Sequence, residues 1–201
     1  MQSSFEKTRY IFIFTVISAV FFLFGLVMIF SLPSDSILYE GLENTVSDIA
    51  FLNSKKTDRI DLSVFISSFF SEIKYLFFAF ISCFSFHRYK LFIALNSYRG
   101  LLSGFGCALF LRTEILDAQF GRITFLSAFT FIAVCVSYVI ILCVYCSECL
   151  LFSRKIIYPI KLSVFFKRRD TYSFIFSFLA FCGAVLIITF IKIGNMFFII
   201  S

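Results

Sequence analysis

Residues Tyr10–Leu32 read YIFIFTVISAVFFLFGLVMIFSL, an apolar run without one charged side chain. A helix needs about 20 such residues to cross a hydrocarbon core of ~30 Å, so this stretch is long enough to span a membrane. Lys7 and Arg9 stand before it and Pro33 stops it. No small-x-small cleavage site follows, which makes it an uncleaved anchor rather than a removable leader. Four more stretches of the same kind follow at Ser63–Phe86, Leu91–Leu111, Ile123–Phe152 and Thr171–Ile191. The basic residues between them fall mainly on alternate sides: Lys7 and Arg9, then His87, Arg88 and Lys90, then the dense run Arg154 to Arg169. The positive-inside bias places all three groups in the cytoplasm. The expected fold is therefore all-α, a polytopic transmembrane bundle of about five helices with a cytoplasmic N-terminus and an outside C-terminus.

Composition says the same in bulk. Of 201 residues, 60% are hydrophobic, and mean hydropathy is +0.97. A water-soluble domain would expose too much apolar surface at that composition, so lipid must be the solvent for most of the chain. Residues 1–201 then make one membrane domain in the cell (cytoplasmic) membrane, crossed several times. The formal charge of +6 sits on helix flanks, where it serves orientation and anionic lipid headgroups; nucleic acid is not an expected partner. With no Trp, the interfacial aromatic belt falls to Tyr10, Tyr89, Tyr98, Tyr158 and Tyr172. All seven cysteines lie in apolar stretches, which argues against an extracellular disulfide framework.

Two polar segments stand out. In 33–61, Ile37, Leu38, Leu42, Val46, Ile49 and Leu52 recur at helical spacing among Glu40, Glu43 and Asp48, as in an amphipathic helix on the outer surface; a loop is the alternative. Lys55 and Lys56 there are exceptions to the charge rule. In 153–170, Arg154, Lys155, Lys161, Lys167, Arg168 and Arg169 interleave with Ile156, Ile157, Leu162, Val164 and Phe165, a basic amphipathic segment suited to the cytoplasmic membrane surface.

Polar residues at membrane depth are where function is sought. Stretch two carries Glu72 and Lys74. One resolution puts 61–71 in an interfacial helix, with Lys74 snorkelling and the span starting near Tyr75. That leaves stretches two and three as full crossings or as a bent, re-entrant hairpin. Stretch three contains Asn96, Tyr98 and Arg99, followed by Gly100, Ser103, Gly104, Cys107 and Ala108 close to one helical face. Such a small-residue stripe lets another helix approach closely. Arg99 needs a partner or a wet pocket at that depth.

Catalytic and metal chemistry find little support. Cys143, Cys146 and Cys149 share one face, but a soft-metal site needs a fourth ligand, and S-acylation of Cys149 is the other functional reading. His87, the only histidine, sits beside Arg88 and Lys90 rather than beside a nucleophile and an orienting acid. Glu114, Asp117, Arg112 and Arg122 read as a short outer turn. No catalytic residue, cofactor or metal is expected, and the chain is not expected to be an enzyme.

The run Asn96-Ser97-Tyr98-Arg99-Gly100-Leu101-Leu102-Ser103-Gly104-Phe105 resembles the stage II sporulation protein M family, whose members carry a similar aromatic-basic-Gly-x-x-x-Gly-Phe run. Glu72-Ile73-Lys74 ahead of Tyr75–Phe86 matches the polar-basic opening of the family's preceding short helix. Length, five helices and a polar loop after the first helix also fit, loosely, over the whole chain. The chain departs from the pattern at Ser85–Lys90, where the family has a Gly- and Pro-containing turn. The resemblance implies a non-enzymatic scaffold that localises or assembles membrane-anchored peptidoglycan-degrading partners, the cell-wall hydrolases of engulfment in spore-forming Firmicutes. Asn96, Tyr98, Arg99, Gly100, Ser103 and Gly104 would then be the helix-packing and partner residues, in a protein that also admits oligomers. The competing reading is a small permease-like membrane subunit of an ATP-driven transporter, with Arg154–Arg169 as its coupling segment.

Overall fold

A computed structural model describes residues 2–33, 62–116, 125–155 and 169–200. These form five helices: α1 (Gln2–Ser31), α2 (Leu62–Ser82), α3 (Arg88–Leu116), α4 (Phe125–Lys155) and α5 (Arg169–Ile200). No strand occurs among the described residues. The chain is an all-α helical bundle, as its apolar runs require. Four of the helices are long and apolar enough to cross a membrane, within Phe5–Ser31, Phe65–Ser82, Phe129–Arg154 and Thr171–Gly194. The exception is α3, whose Asn96, Ser97, Arg99 and Ser103 lower its hydropathy. Residues 102–110 of α3 are continuously buried, and the helix packs against α1, α2 and α4.

Contacts between helix ends fix their directions. Lys7 near the start of α1 pairs with Glu148 near the end of α4, and Ser177 near the start of α5 donates to the same carboxylate. At the opposite end Phe65 of α2 meets Phe190 of α5 with ring centroids 4.5 Å apart. Arg112 of α3 reaches the carbonyls of Ile29 and Leu32, both at 2.8 Å. So α1, α3 and α5 run one way and α2 and α4 the other, and α1 begins at the end of the bundle opposite to that where α5 finishes. Arg112 caps the last turn of α1, where free carbonyls and the negative pole of the helix both attract a cation.

Two differences from the sequence expectation have a common cause. Residues 62–82 form one continuous helix, not an interfacial segment followed by a span from Tyr75. Residues two apart on a helix face away from each other: Glu72 is 4% exposed while Lys74 is exposed. Only the first of the two charges is therefore buried in protein. Similarly, α5 runs unbroken past Lys192 and Gly194 to Ile200, because Lys192 turns inward and is buried.

The core has an aromatic half and a small-residue half. Near the α1 N-terminal end, Phe80 of α2, Phe174 and Phe178 of α5, and Tyr145 and Phe152 of α4 form a continuous ring cluster. Its closest pair, Phe152 and Phe174, is stacked at 3.9 Å. Such pairs add about 0.5–1.5 kcal/mol each beyond the area they bury. On the other side α1 meets α3 backbone to backbone at Gly25, Gly100 and Gly104. The segment 34–61 lies outside the described residues, as do Asp117, Arg122, Tyr158, Lys161, Lys167 and Arg168.

Candidate functional site

The stripe of small residues on α3 is the first element of the site. A Cβ added at Gly100 would stand 2.5 Å from the Ser18 carbonyl oxygen of α1, and one at Gly104 would come closer still to that of Phe22. From the other side, a Cβ at Gly25 would lie 2.6 Å from the Leu101 carbonyl oxygen. These glycines are required by backbone contact between two helices, the arrangement that lets dispersion hold helices together in lipid. The partner of the stripe is thus α1 of the same chain.

The adjoining face of α3 is polar and buried. Asn96, fully buried, donates to its own helix at the Phe92 carbonyl (2.8 Å) and accepts from the Cys143 thiol of α4 (3.2 Å). Its backbone carbonyl accepts from Ser18 of α1 at 3.2 Å. One Asn side chain and its carbonyl therefore link three helices, in surroundings where unpaired polar groups are costly.

One turn further along α3, Arg99 is 1% exposed. Its Nη2 donates to both carboxylate oxygens of Glu72 on α2, each at 2.7 Å. The guanidinium carbon lies 5.3 Å from the Tyr75 ring centroid and 5.7 Å from that of Tyr138 on α4. Tyr138 in turn donates to Thr189 of α5 (2.8 Å), whose hydroxyl donates to the Val185 carbonyl. The buried Lys192 ammonium stands 6.0 Å from the other cation's Tyr138 ring and 3.5 Å from the Ser68 hydroxyl of α2. Two cations and one carboxylate are thus gathered from three helices around a tyrosine of a fourth. At 1.5 Å per residue, Arg99 lies about 16 Å from the start of α3 and Glu72 about 15 Å from the end of α2, near mid-bundle. The aromatic faces supplement the single carboxylate in balancing the positive charge. Two buried polar atoms here have no hydrogen-bond partner among the described residues: Arg99 Nη1 and Ser103 Oγ.

The sequence-derived residues thus fall into separate roles. Asn96, Arg99, Gly100, Ser103 and Gly104 are buried together along α3, whereas Tyr98 is half exposed, its ring 6.4 Å from that of Tyr75. Arg154 is at the surface, paired with Glu6 at 3.1 Å and stacked over the Tyr10 ring. Lys155 and Arg169 are terminal residues of α4 and α5. Cys143, Cys146 and Cys149 are all buried on α4; Cys143 serves Asn96, and the Cys149 carbonyl accepts from Cys83 at 3.6 Å. Among the described residues no group of three His, Cys, Asp or Glu side chains is placed to hold a metal ion. Tyr138, Thr189 and Lys192 escaped sequence reading as site members, as did Ser18, Phe22 and Gly25 of α1. Lys192 alone carried a readable signal, as an ionisable group next to an apolar run. No protein-family model, curated protein or solved structure matches the chain.

Proposed function

We propose that this chain is a non-enzymatic, multi-pass membrane scaffold that holds other membrane proteins together, acting in the manner of the stage II sporulation protein M family it resembles. The supporting observation is how the polar groups at depth are used. Arg99 with Glu72, Asn96 with Cys143 and Ser18, and Tyr138 with Thr189 are engaged in helix-to-helix contacts within the chain. These lock a frame whose outer helices keep apolar faces free. Phe12, Val16, Val20, Leu23 and Val27 of α1, and Phe176, Leu179, Ile187 and Ile191 of α5, are exposed, and lateral contacts with partner helices form on such faces by packing. The basic end of the bundle would face the cytoplasm of the cell membrane, and the segment 33–61 would meet partners outside. The partners would be membrane-anchored cell-wall hydrolases, gathered at an engulfing septum.

The test is a mild-detergent pull-down of tagged protein from its native cells, read by mass spectrometry. Recovery of membrane-anchored peptidoglycan hydrolases supports the reading. Recovery of a nucleotide-binding ATPase without them overturns it. That second outcome would favour a permease-like subunit, for which the buried Glu72, Arg99 and Lys192 group speaks, since ionisable side chains inside a bundle often line a substrate path. Under that alternative, Glu72→Gln would abolish substrate-stimulated ATP hydrolysis by the complex.

A further inference from the structure

We propose that the end of the bundle holding the α1 N-terminus carries a binding site for an anionic phospholipid headgroup with two phosphates. A cavity of about 630 Å³ opens there between α1, the α2–α3 turn, the start of α3 and the end of α4. Its lining includes Arg9, His87, Arg88, Lys90 and Arg154 and, among the described residues, no acidic side chain. Arg154 shares its charge with Glu6. Among the described residues, Arg9, Arg88 and Lys90 make no ion pair, so three cations converge on one cavity without compensation.

The backbone adds to this surplus. Arg88, Tyr89 and Lys90 are the first residues of α3, and the Leu91 N–H already donates to the His87 carbonyl at 3.1 Å. His87 therefore occupies the cap position without the small side-chain oxygen that usually closes a first turn, which leaves N–H groups and the positive helix pole available to an anion. Basic pockets between membrane helices are suited to polyanionic headgroups. A single monoanion would leave two of the three cations unanswered, whereas two phosphates spread along a headgroup match them better.

The apolar part of the cavity separates a lipid from a free phosphate. Ile13 and Leu150 belong to its wall, and Phe86 at its rim is 94% exposed. A soluble phosphate has no use for these side chains, but the glycerol and first acyl carbons of a lipid do. The site is independent of the scaffold reading, because it needs no protein partner.

The experiment is native mass spectrometry of the full chain in detergent, titrated with cardiolipin or with phosphatidylcholine. The wild type should retain cardiolipin selectively. Arg88→Gln with Lys90→Gln should weaken it about thirtyfold, and Arg9→Gln alone about fivefold, at roughly 1 kcal/mol per surface charge. Lys74→Gln, an exposed cation away from the cavity, should change nothing. Equal retention of the two lipids by the wild type overturns the proposal, as does undiminished cardiolipin binding by Arg9→Gln should the double variant fail to fold. A last arm adds millimolar pyrophosphate: a thermal shift as large as cardiolipin's, lost in Arg9→Gln, would make this a soluble-phosphate site and overturn the lipid assignment.

Discussion

Helix α3 is held on its two sides by opposite means. Against α1 it offers glycines, and the helices meet backbone to backbone. Against α2 and α4 it offers a guanidinium, and the helices meet through an ion pair flanked by two tyrosine rings. The first seam rests mainly on shape, with hydrogen bonds from Ser18 and Arg112 toward its margins. The second depends on charge balance and tolerates no missing partner. The difference shows that a membrane helix too polar to be stable alone can be carried by one neighbour that fits it and another that neutralises it.

The charge seam should be the easier to break. Glu72→Ala leaves Arg99 buried without its carboxylate, and removing one member of a buried pair costs about 3–5 kcal/mol. Unfolding in a denaturing-detergent titration would measure it. The double variant Glu72→Ala with Arg99→Met should recover much of that loss; a double variant as unstable as the single would show that the ion pair is not what joins α2 to α3.

The shape seam comes next. Gly104→Ala should cost about 1–3 kcal/mol by overpacking against the α1 backbone. Gly183→Ala is the matched control, because a Cβ there meets nothing within 4 Å; it should be neutral or stabilise by up to about 1 kcal/mol. If the two substitutions behave alike, the close approach of α1 and α3 is not required. A smaller effect, about 1–2 kcal/mol, is expected for Arg112→Ala, which removes charge-assisted bonds to the Ile29 and Leu32 carbonyls. It should appear as faster amide exchange in the last turn of α1. At the surface, Arg154→Gln should shift stability by less than about 1 kcal/mol, since both partners of its pair with Glu6 are more than 40% exposed. A large loss there would contradict the ranking of buried over exposed charge.

How far the sequence could be read follows the same division. Apolar runs of helix-spanning length are a one-dimensional signal, so the five helices and the stripe Gly100–Gly104 were legible. What the stripe would touch was not. The helix that fills it carries Ser18, Phe22 and Gly25 as unremarkable members of an apolar run, and nothing in their order marks them as a matching surface. The ion pair was legible only as a need: Arg99 demanded a partner. Glu72 was visible 27 residues earlier, yet in one dimension it stands beside Lys74 in the same apolar stretch, and their order does not say which of the two is buried. Helical phase separates the two, and phase relative to a neighbour is a three-dimensional property. Tyr138 and Thr189 looked like ordinary residues of apolar helices and acquire meaning only from the charges around them.

The pairing of Glu72 with Arg99 also bears on how the chain is made. A ribosome synthesises α2 before α3, and a short turn, residues 83–87, separates them. Entering the bilayer one at a time, each would carry an uncompensated charge into hydrocarbon. Entering together as a hairpin, they bring both charges already joined, and α1, free of charge from Tyr10 onward, is waiting in the membrane with the Ser18 and Phe22 backbone that packs against Gly100 and Gly104. The order of helices along the chain is thus also a workable order of insertion, with the self-sufficient helix first and the dependent pair second.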